Sequence, residues 1–256
     1  MPLNTKEFPC ISTSDFIIID CLAHNTSGRV LSVLWEEKHA IVKFSTNPQE
    51  IWIHLQVQEE PGVIDVWAKV KDPVFGEGLL MPRALVDLQS EIERGTRILP
   101  QQLAPVARAL LRMHARGWLH RDLHPGNIVF HDNTWKLIDF GLSRPYHGGF
   151  CCPQQSHAVI RFASLRQLAN QIEYPSDDWY SFGLVALSAL HGKLPWSSLQ
   201  EPQVLLQKIK NPFSPFGDCA SQKYLQYLEE LSPTAEEEVM EILKEMTFPM
   251  CSCNFE

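Results

Sequence analysis

Apolar positions follow two different rhythms along this chain, and the change between them divides it. FIIID (16–20), RVLSVLW (29–35) and HAIVKF (39–44) are short apolar runs, and a charged turn from Glu36 to Lys38 separates the second from the third. That spacing predicts an antiparallel meander. Asn47-Pro48-Gln49-Glu50 then reads as a helix start, with Asn as the cap and Pro in the first turn; the helix should run to about Gln58 and stop before Pro61-Gly62. VIDVWAKV (63–70) and GLLM (78–81) predict two more strands. After Pro82 the period becomes helical. Leu103, Val106, Ala107, Leu110, Leu111 and His114 line one face of a helix predicted over 101–118. Further helices are predicted near 178–191, 202–210 and 234–246. The expectation is an α+β chain in two lobes. A small β-rich lobe with one helix spans residues 1–81, and a larger, mainly helical lobe spans 82–256.

Bulk properties narrow the function class. The 256 residues carry a net charge of -8, which argues against a general nucleic-acid or anionic-membrane surface. No stretch approaches 18 uninterrupted apolar residues, and MPLNTKEFPC has no basic region followed by an apolar block. The seven cysteines form no C-x-x-C pair, which favours reduced thiols over a zinc or disulfide framework. These features predict an intracellular protein, cytoplasmic or nuclear, with no nucleic-acid or membrane partner.

Two polar loops interrupt the apolar pattern of the second lobe. HRDLHPGNIVF (120–130) follows the helix at 101–118, and WKLIDFGLSR (135–144) ends an apolar strand in Asp139-Phe140-Gly141. Asp122, Asn127 and Asp139 can converge at one rim. Carboxylate and amide oxygens are hard ligands suited to magnesium, with substrate phosphates completing the shell. A spare carboxylate can take the proton of a hydroxyl nucleophile. Phosphoryl transfer requires little beyond such positioning and charge neutralisation. Lys43, at the end of AIVKF, is the candidate cation for the phosphates; taken alone it is an ordinary solvent-facing strand lysine.

The ordered set A-I-V-K (40–43), H-R-D-L-x-x-x-N (120–127) and D-F-G (139–141) resembles the protein-kinase signature set. RFASLRQL (161–168) stands where most kinases carry A-P-E and is similar to a segment of the casein kinase 1 group. SDDWYSFGLVALSALHGKLPW (176–196) resembles the helix after the activation segment, with Asp178 at its acidic start. The resemblance implies a bilobal kinase fold, ATP and Mg2+ as cofactors, and a protein as substrate or partner. It implies that Asp122 orients or deprotonates the substrate hydroxyl, that Asn127 and Asp139 hold magnesium, and that Lys43 holds the α- and β-phosphates. Ala23, Asn25, Gly28 and Val30 fall in the stretch that covers the phosphates. Met81, Arg83 and Ala84 fall in the connection that meets adenine, where Pro82 removes one donor. Glu50 is the candidate partner of Lys43; alternatively it closes a capping box with Asn47, leaving Glu59 or Glu60 to pair the lysine.

Four departures keep other functions open. His124 replaces the lysine that steadies the transferred phosphoryl group in serine/threonine kinases, and a neutral imidazole supplies no charge there. The form H-x-D-x-H-x-x-N also resembles small-molecule kinases of the aminoglycoside and choline type. Ala23 and Asn25 replace two loop glycines, which suits weaker ATP use or a pseudokinase acting as a binding module. Arg166 stands at the A-P-E glutamate position, and no arginine follows it in the C-terminal region, so both partners of the usual ion pair are absent. The vicinal Cys151-Cys152 in the activation segment reads as ordinary thiols, Glu236 to Glu238 as a solvated first helical turn, and the chain as a C-terminally short domain.

Overall fold

The computed structural model describes residues 7–25, 28–146, 159–210 and 236–245. Cys151, Cys152 and the side chain of Asn25 therefore lie outside the described residues. The N-terminal half is a six-stranded sheet in the order β1-β5-β6-β4-β3-β2. Its strands are β1 (Cys10–Ser12), β2 (Ile17–Asn25), β3 (Gly28–Trp35), β4 (Lys38–Ser45), β5 (Ala68–Asp72) and β6 (Gly76–Pro82). The meander β2-β3-β4 is antiparallel throughout, and β1 adds to β5 in parallel.

Helix α1 (Pro48–Val57) starts where the sequence predicts. The Asn47 side chain accepts from the Gln49 N–H at 3.1 Å, and Pro48 occupies the first turn, where no backbone donor is needed. Its apolar face packs on the sheet through Ile51 and Leu55 against Ile64, Val66, Leu79 and Met81.

The six-stranded sheet ends at Pro82, and the rest of the described chain is mainly helical: β7 (Val86–Asp87), α2 (Leu88–Glu93), α3 (Ala104–Ala115), β8 (Trp118–Leu119), β9 (Ile128–His131), β10 (Thr134–Leu137), β11 (Arg144–Pro145), α4 (Leu165–Leu168), α5 (Pro175–His191), α6 (Glu201–Lys210) and α7 (Glu236–Glu245). The largest core cluster surrounds α5, nearly all of whose residues are buried, with α3, α7 and the end of α1 packed around it. The bilobal α+β expectation describes this architecture.

Two elements depart from the sequence prediction. The helix predicted over 101–118 is shorter, because Pro100 and Pro105 hold its approach in a tight turn and Gly117, at φ 79°, ends it in a left-handed conformation. The strand predicted over 63–70 begins only at Ala68. Val63, Ile64 and Val66 are apolar because they fill the cores between the halves. Val63 instead makes a single bridge to Leu137, flanked by bonds from Leu137 N–H to the Gly62 carbonyl (2.7 Å) and from Ile64 N–H to the Leu137 carbonyl (3.1 Å).

Gly62 is required at that junction, because a methyl group on its Cα would lie 1.8 Å from the Pro105 carbonyl oxygen. Gly62→Ala is expected to destabilise the fold by about 1–3 kcal/mol, the usual cost of overpacking. Urea unfolding curves for parent and variant measure it; superimposable midpoints would refute the junction argument.

Candidate active site

Lys43 lies in β4, where alternate side chains enter the core, and its ammonium is flanked by two carboxylates. Glu50 Oε1, from the first turn of α1, is 2.5 Å away, and Asp139 Oδ1, just after β10, is 2.7 Å away. Ser45 Oγ donates to the other Glu50 oxygen at 2.6 Å. The Glu50 carboxylate is thus committed to Lys43 and Ser45 rather than to a capping box, while Glu60 pairs with Arg116. Burial lowers the Lys43 pKa, but the charges of Asp139 and Glu50 outweigh it, and the net value is raised. Burial likewise acts to raise Asp139, and the Lys43 charge and the Gly141 N–H overcome it, so its carboxyl lies below its ordinary value.

The second loop is held from behind by α5. The Asp178 carboxylate accepts from the backbone N–H groups of His120 and Arg121, both at 2.8 Å, and lies 2.9 Å from His114 Nε2. Arg121 is thereby kept at φ 71°, an unfavourable conformation for an arginine. Its guanidinium makes a buried two-pronged pair with Glu173, at 2.6 and 2.9 Å. Beyond this anchor, Asn127 Nδ2 donates to the Asp122 carbonyl (2.9 Å) and to its carboxylate (3.1 Å). Burial raises the Asp122 carboxyl above its ordinary value, against the lowering influence of His124 and His120. A raised carboxylate is a better proton acceptor near neutral pH.

His124 caps the turn Pro125–Asn127: the Gly126 N–H donates to its Nδ1 at 3.1 Å. The neutral ring must then carry its proton on Nε2, which is 3.8 Å from the Asp122 carboxylate.

Two cavities share Val30, Lys43, Glu50 and Asp139. The more apolar, about 180 Å³, is also lined by Ile41, His54, Met81, Pro82 and Ala84. The more polar, about 560 Å³, adds Ala23, Gly28, Arg29 and Asp122. Asn25 ends β2 opposite Gly28, whose close approach to the Phe44 carbonyl leaves no room for a Cβ. Three sequence-derived site residues with described side chains, Arg83, His124 and Asn127, line neither cavity. The Arg83 N–H bonds the His39 carbonyl at 3.4 Å, and its guanidinium reaches Ser32 at 3.0 Å.

The donor set fits a hard divalent cation. Asp139 Oδ1 is taken by Lys43 and the Gly141 N–H, which leaves Oδ2. The Asn127 nitrogen is taken by Asp122, which leaves its carbonyl oxygen.

The protein kinase domain family matches residues 32–250. The chain belongs to the protein kinase domain family. The kinase domain is 25% identical over 236 residues to the human tyrosine-protein kinase FRK, covering 84% of this chain and 46% of that protein. It is 30% identical over 123 residues to a putative casein kinase I of Caenorhabditis elegans, covering 43% and 36%. It is 28% identical over 169 residues to the serine/threonine-protein kinase PknA of Mycobacterium tuberculosis, covering 60% and 38%. The chain spans less than half the length of each of these relatives. Their spread over tyrosine, casein kinase I and serine/threonine kinases gives the family without singling out the casein kinase 1 group. Among the described residues, no helix is long and apolar enough to cross a membrane.

Several lining residues escaped the sequence reading, among them Arg29, Arg144 and His54. His54 sits one turn after Glu50 on the same buried face of α1, a spacing that could have exposed it. Its Nε2 donates to the Ile64 carbonyl at 2.9 Å. Phe140 is packed between it and His120, with ring centroids 4.8 and 5.4 Å apart. Burial pushes the His54 imidazole down to about 4. In the unfolded chain it titrates near 6.5, so the unfolded state takes up the proton first as pH falls, and the stability present above 6.5 is lost toward 4. Between pH 7 and pH 5 this histidine should cost about 2 kcal/mol. Urea titrations of parent and His54→Leu at both pH values test it; the variant should lose that much less stability, and an equal loss would contradict the assignment.

Proposed function

We propose that this domain is an active protein kinase that transfers the γ-phosphoryl group of ATP to a serine or threonine hydroxyl, with residues 1–81 and 82–256 as the two lobes of one catalytic unit. The observation that carries this reading is the Lys43 ammonium bridging Glu50 and Asp139 in a cleft also lined by Asp122. Lys43 holds the α- and β-phosphates and is itself oriented by Glu50. Val30, Met81 and Ala84 line the apolar cavity that takes the adenine, with fewer backbone contacts because Pro82 has no N–H and the Arg83 N–H is turned toward the sheet. Gly28 and Ala23 border the phosphates, and Asn25 ends the same strand pair. Asp139 Oδ2 and the Asn127 carbonyl hold magnesium, which when bound neutralises phosphate charge. Asp122 orients the substrate hydroxyl and accepts its proton. The casein kinase 1 likeness of RFASLRQL and the serine/threonine kinases among the relatives support the choice of acceptor.

Asp122→Asn is expected to keep nucleotide affinity and lower transfer to casein by several orders of magnitude. Transfer at the parent rate would remove Asp122 from its role. Running the same assay on small alcohol acceptors separates the aminoglycoside-type reading, since transfer confined to an alcohol would exclude the proposal. A parent that transfers to neither would leave the pseudokinase.

His124 stands beside Asp122 in the place of a lysine. His124→Lys removes the cap on Gly126, at a cost of about 1 kcal/mol, and adds a fixed positive charge beside the moving phosphoryl group. Stability should fall by that amount while casein phosphorylation at pH 7.5 is held or raised. A collapse of transfer with the fold intact would mean that the imidazole itself is needed.

A further inference from the structure

The Lys43 ammonium is shared by two elements far apart in sequence, Glu50 in the first turn of α1 and Asp139 in the loop after β10. An ammonium is a compact charge on a flexible stem, so two ion pairs to it do not by themselves fix how the carboxylates stand to one another. An uncharged contact spans the same gap. Asn47 Nδ2 donates to the Gly141 carbonyl at 3.3 Å, and both residues line the polar cavity.

The orientation of the Asn47 amide follows from its other partner. Its Oδ1 accepts from the Gln49 N–H at 3.1 Å as the cap of α1. A backbone N–H can only donate and a carbonyl can only accept, so the amide nitrogen is the end that faces Gly141. On one side of this contact, Ser45 Oγ accepts from the Asn47 N–H at 3.1 Å and donates to Glu50 Oε2 at 2.6 Å. On the other, the Gly141 N–H donates to Asp139 Oδ1 at 3.1 Å. The path Glu50–Ser45–Asn47–Gly141–Asp139 closes the ring that Lys43 begins. The two elements meet closely here, since a methyl group on the Gly141 Cα would lie 3.4 Å from Glu50 Oε2. Capping alone does not call for asparagine, because serine or aspartate caps a helix as well; the donor to Gly141 does.

We infer that Asn47 is a positioning residue for phosphoryl transfer, a latch that caps α1 with its oxygen and holds the Asp139 loop to that helix with its nitrogen, so that Glu50 and Asp139 keep their places around Lys43. The effect on transfer rests on the protein-kinase reading above; the latch itself does not.

Two variants separate the cap from the latch. Asn47→Ser keeps an oxygen for the cap and loses the donor to Gly141, whereas Asn47→Ala loses both. Each is compared with the parent in two measurements: amide hydrogen exchange of the nucleotide-free protein, read residue by residue by NMR, and steady-state transfer from ATP and magnesium to casein. In Asn47→Ser the Gly141 N–H should exchange roughly fivefold faster, as expected for about one net hydrogen bond, while the amides of α1 and the melting temperature stay as in the parent. Its kcat should fall by a similar factor, with the KM for casein within about twofold. Asn47→Ala should match Asn47→Ser at Gly141 and in kcat, and should also melt about 2–4 °C lower. Parent-like exchange of Gly141 in Asn47→Ser overturns the latch. Parent-like kcat in that variant overturns the positioning role, since a residue that only capped α1 would be served by serine. If Asn47→Ser does not fold, Asn47→Thr takes its place under the same criteria. A parent that transfers to no protein defeats the kinase reading and with it the effect on kcat; the exchange of Gly141 decides the latch in either case.

Discussion

The Asp178 carboxylate supports the geometry of the loop at 120–127. It is buried on α5, inside the largest core, and burial alone would drive it toward the neutral acid. The His114 side chain, the charge of the His120 imidazole when protonated and the Arg121 N–H act the other way and hold its pKa below the ordinary value. Because the carboxylate holds two successive N–H groups, it dictates the backbone at 120–121, including the left-handed Arg121. That conformation costs of order 1–3 kcal/mol and persists only where the surroundings over-determine it. Here they do, since the Arg121 guanidinium is locked to Glu173 and its carbonyl to Gln167. Asp122 follows Arg121 directly, so its place at the rim is set by an aspartate 56 residues further along the chain.

The side chains lining the polar cavity carry both signs: Lys43, Arg29 and Arg144 stand against Glu50, Asp139 and Asp122. Lys43 is bonded to Glu50 and to Asp139, whose carboxyl is lowered, while burial raises Asp122.

Much of this was legible in the sequence wherever the signal was local. Asn47-Pro48 fixed the start of α1, the strand pattern fixed β2 to β4, and the spacing of Asp122, Asn127 and Asp139 marked the loops that meet in the cleft. What was hidden depended on contacts distant in sequence. Arg83 looked like an adenine neighbour until the β6 register turned its N–H toward His39. Lys208 lies in the helix predicted near 202–210, and nothing near it in sequence announces Ala163, Tyr180 or Trp196 as its surroundings. The sequence has Arg166 at the A-P-E glutamate position and no later arginine, and it gives no sign of what Arg166 pairs with. Arg166 turns to Asp177 at 2.9 Å and to Ser176 at 3.0 Å, within the segment itself.

The histidines bear on what the cleft lacks. His54 and His120 approach the site from behind, and burial lowers both, His54 to about 4. Each places a nitrogen toward a carbonyl oxygen, His54 toward Ile64 and His120 toward Ile138, which favours the neutral Nε2–H form. Neither adds positive charge at neutral pH. His124 has its Nδ1 committed to the Gly126 N–H. The imidazoles therefore supply shape and hydrogen bonds, and Lys43 is the cation lining the cleft that is bonded to its carboxylates. Arg29 and Arg144 also line the polar cavity with Asp122, so the guanidinium charge around that cavity comes from β3 and from the segment after Asp139 rather than from a lysine in the 120–127 loop.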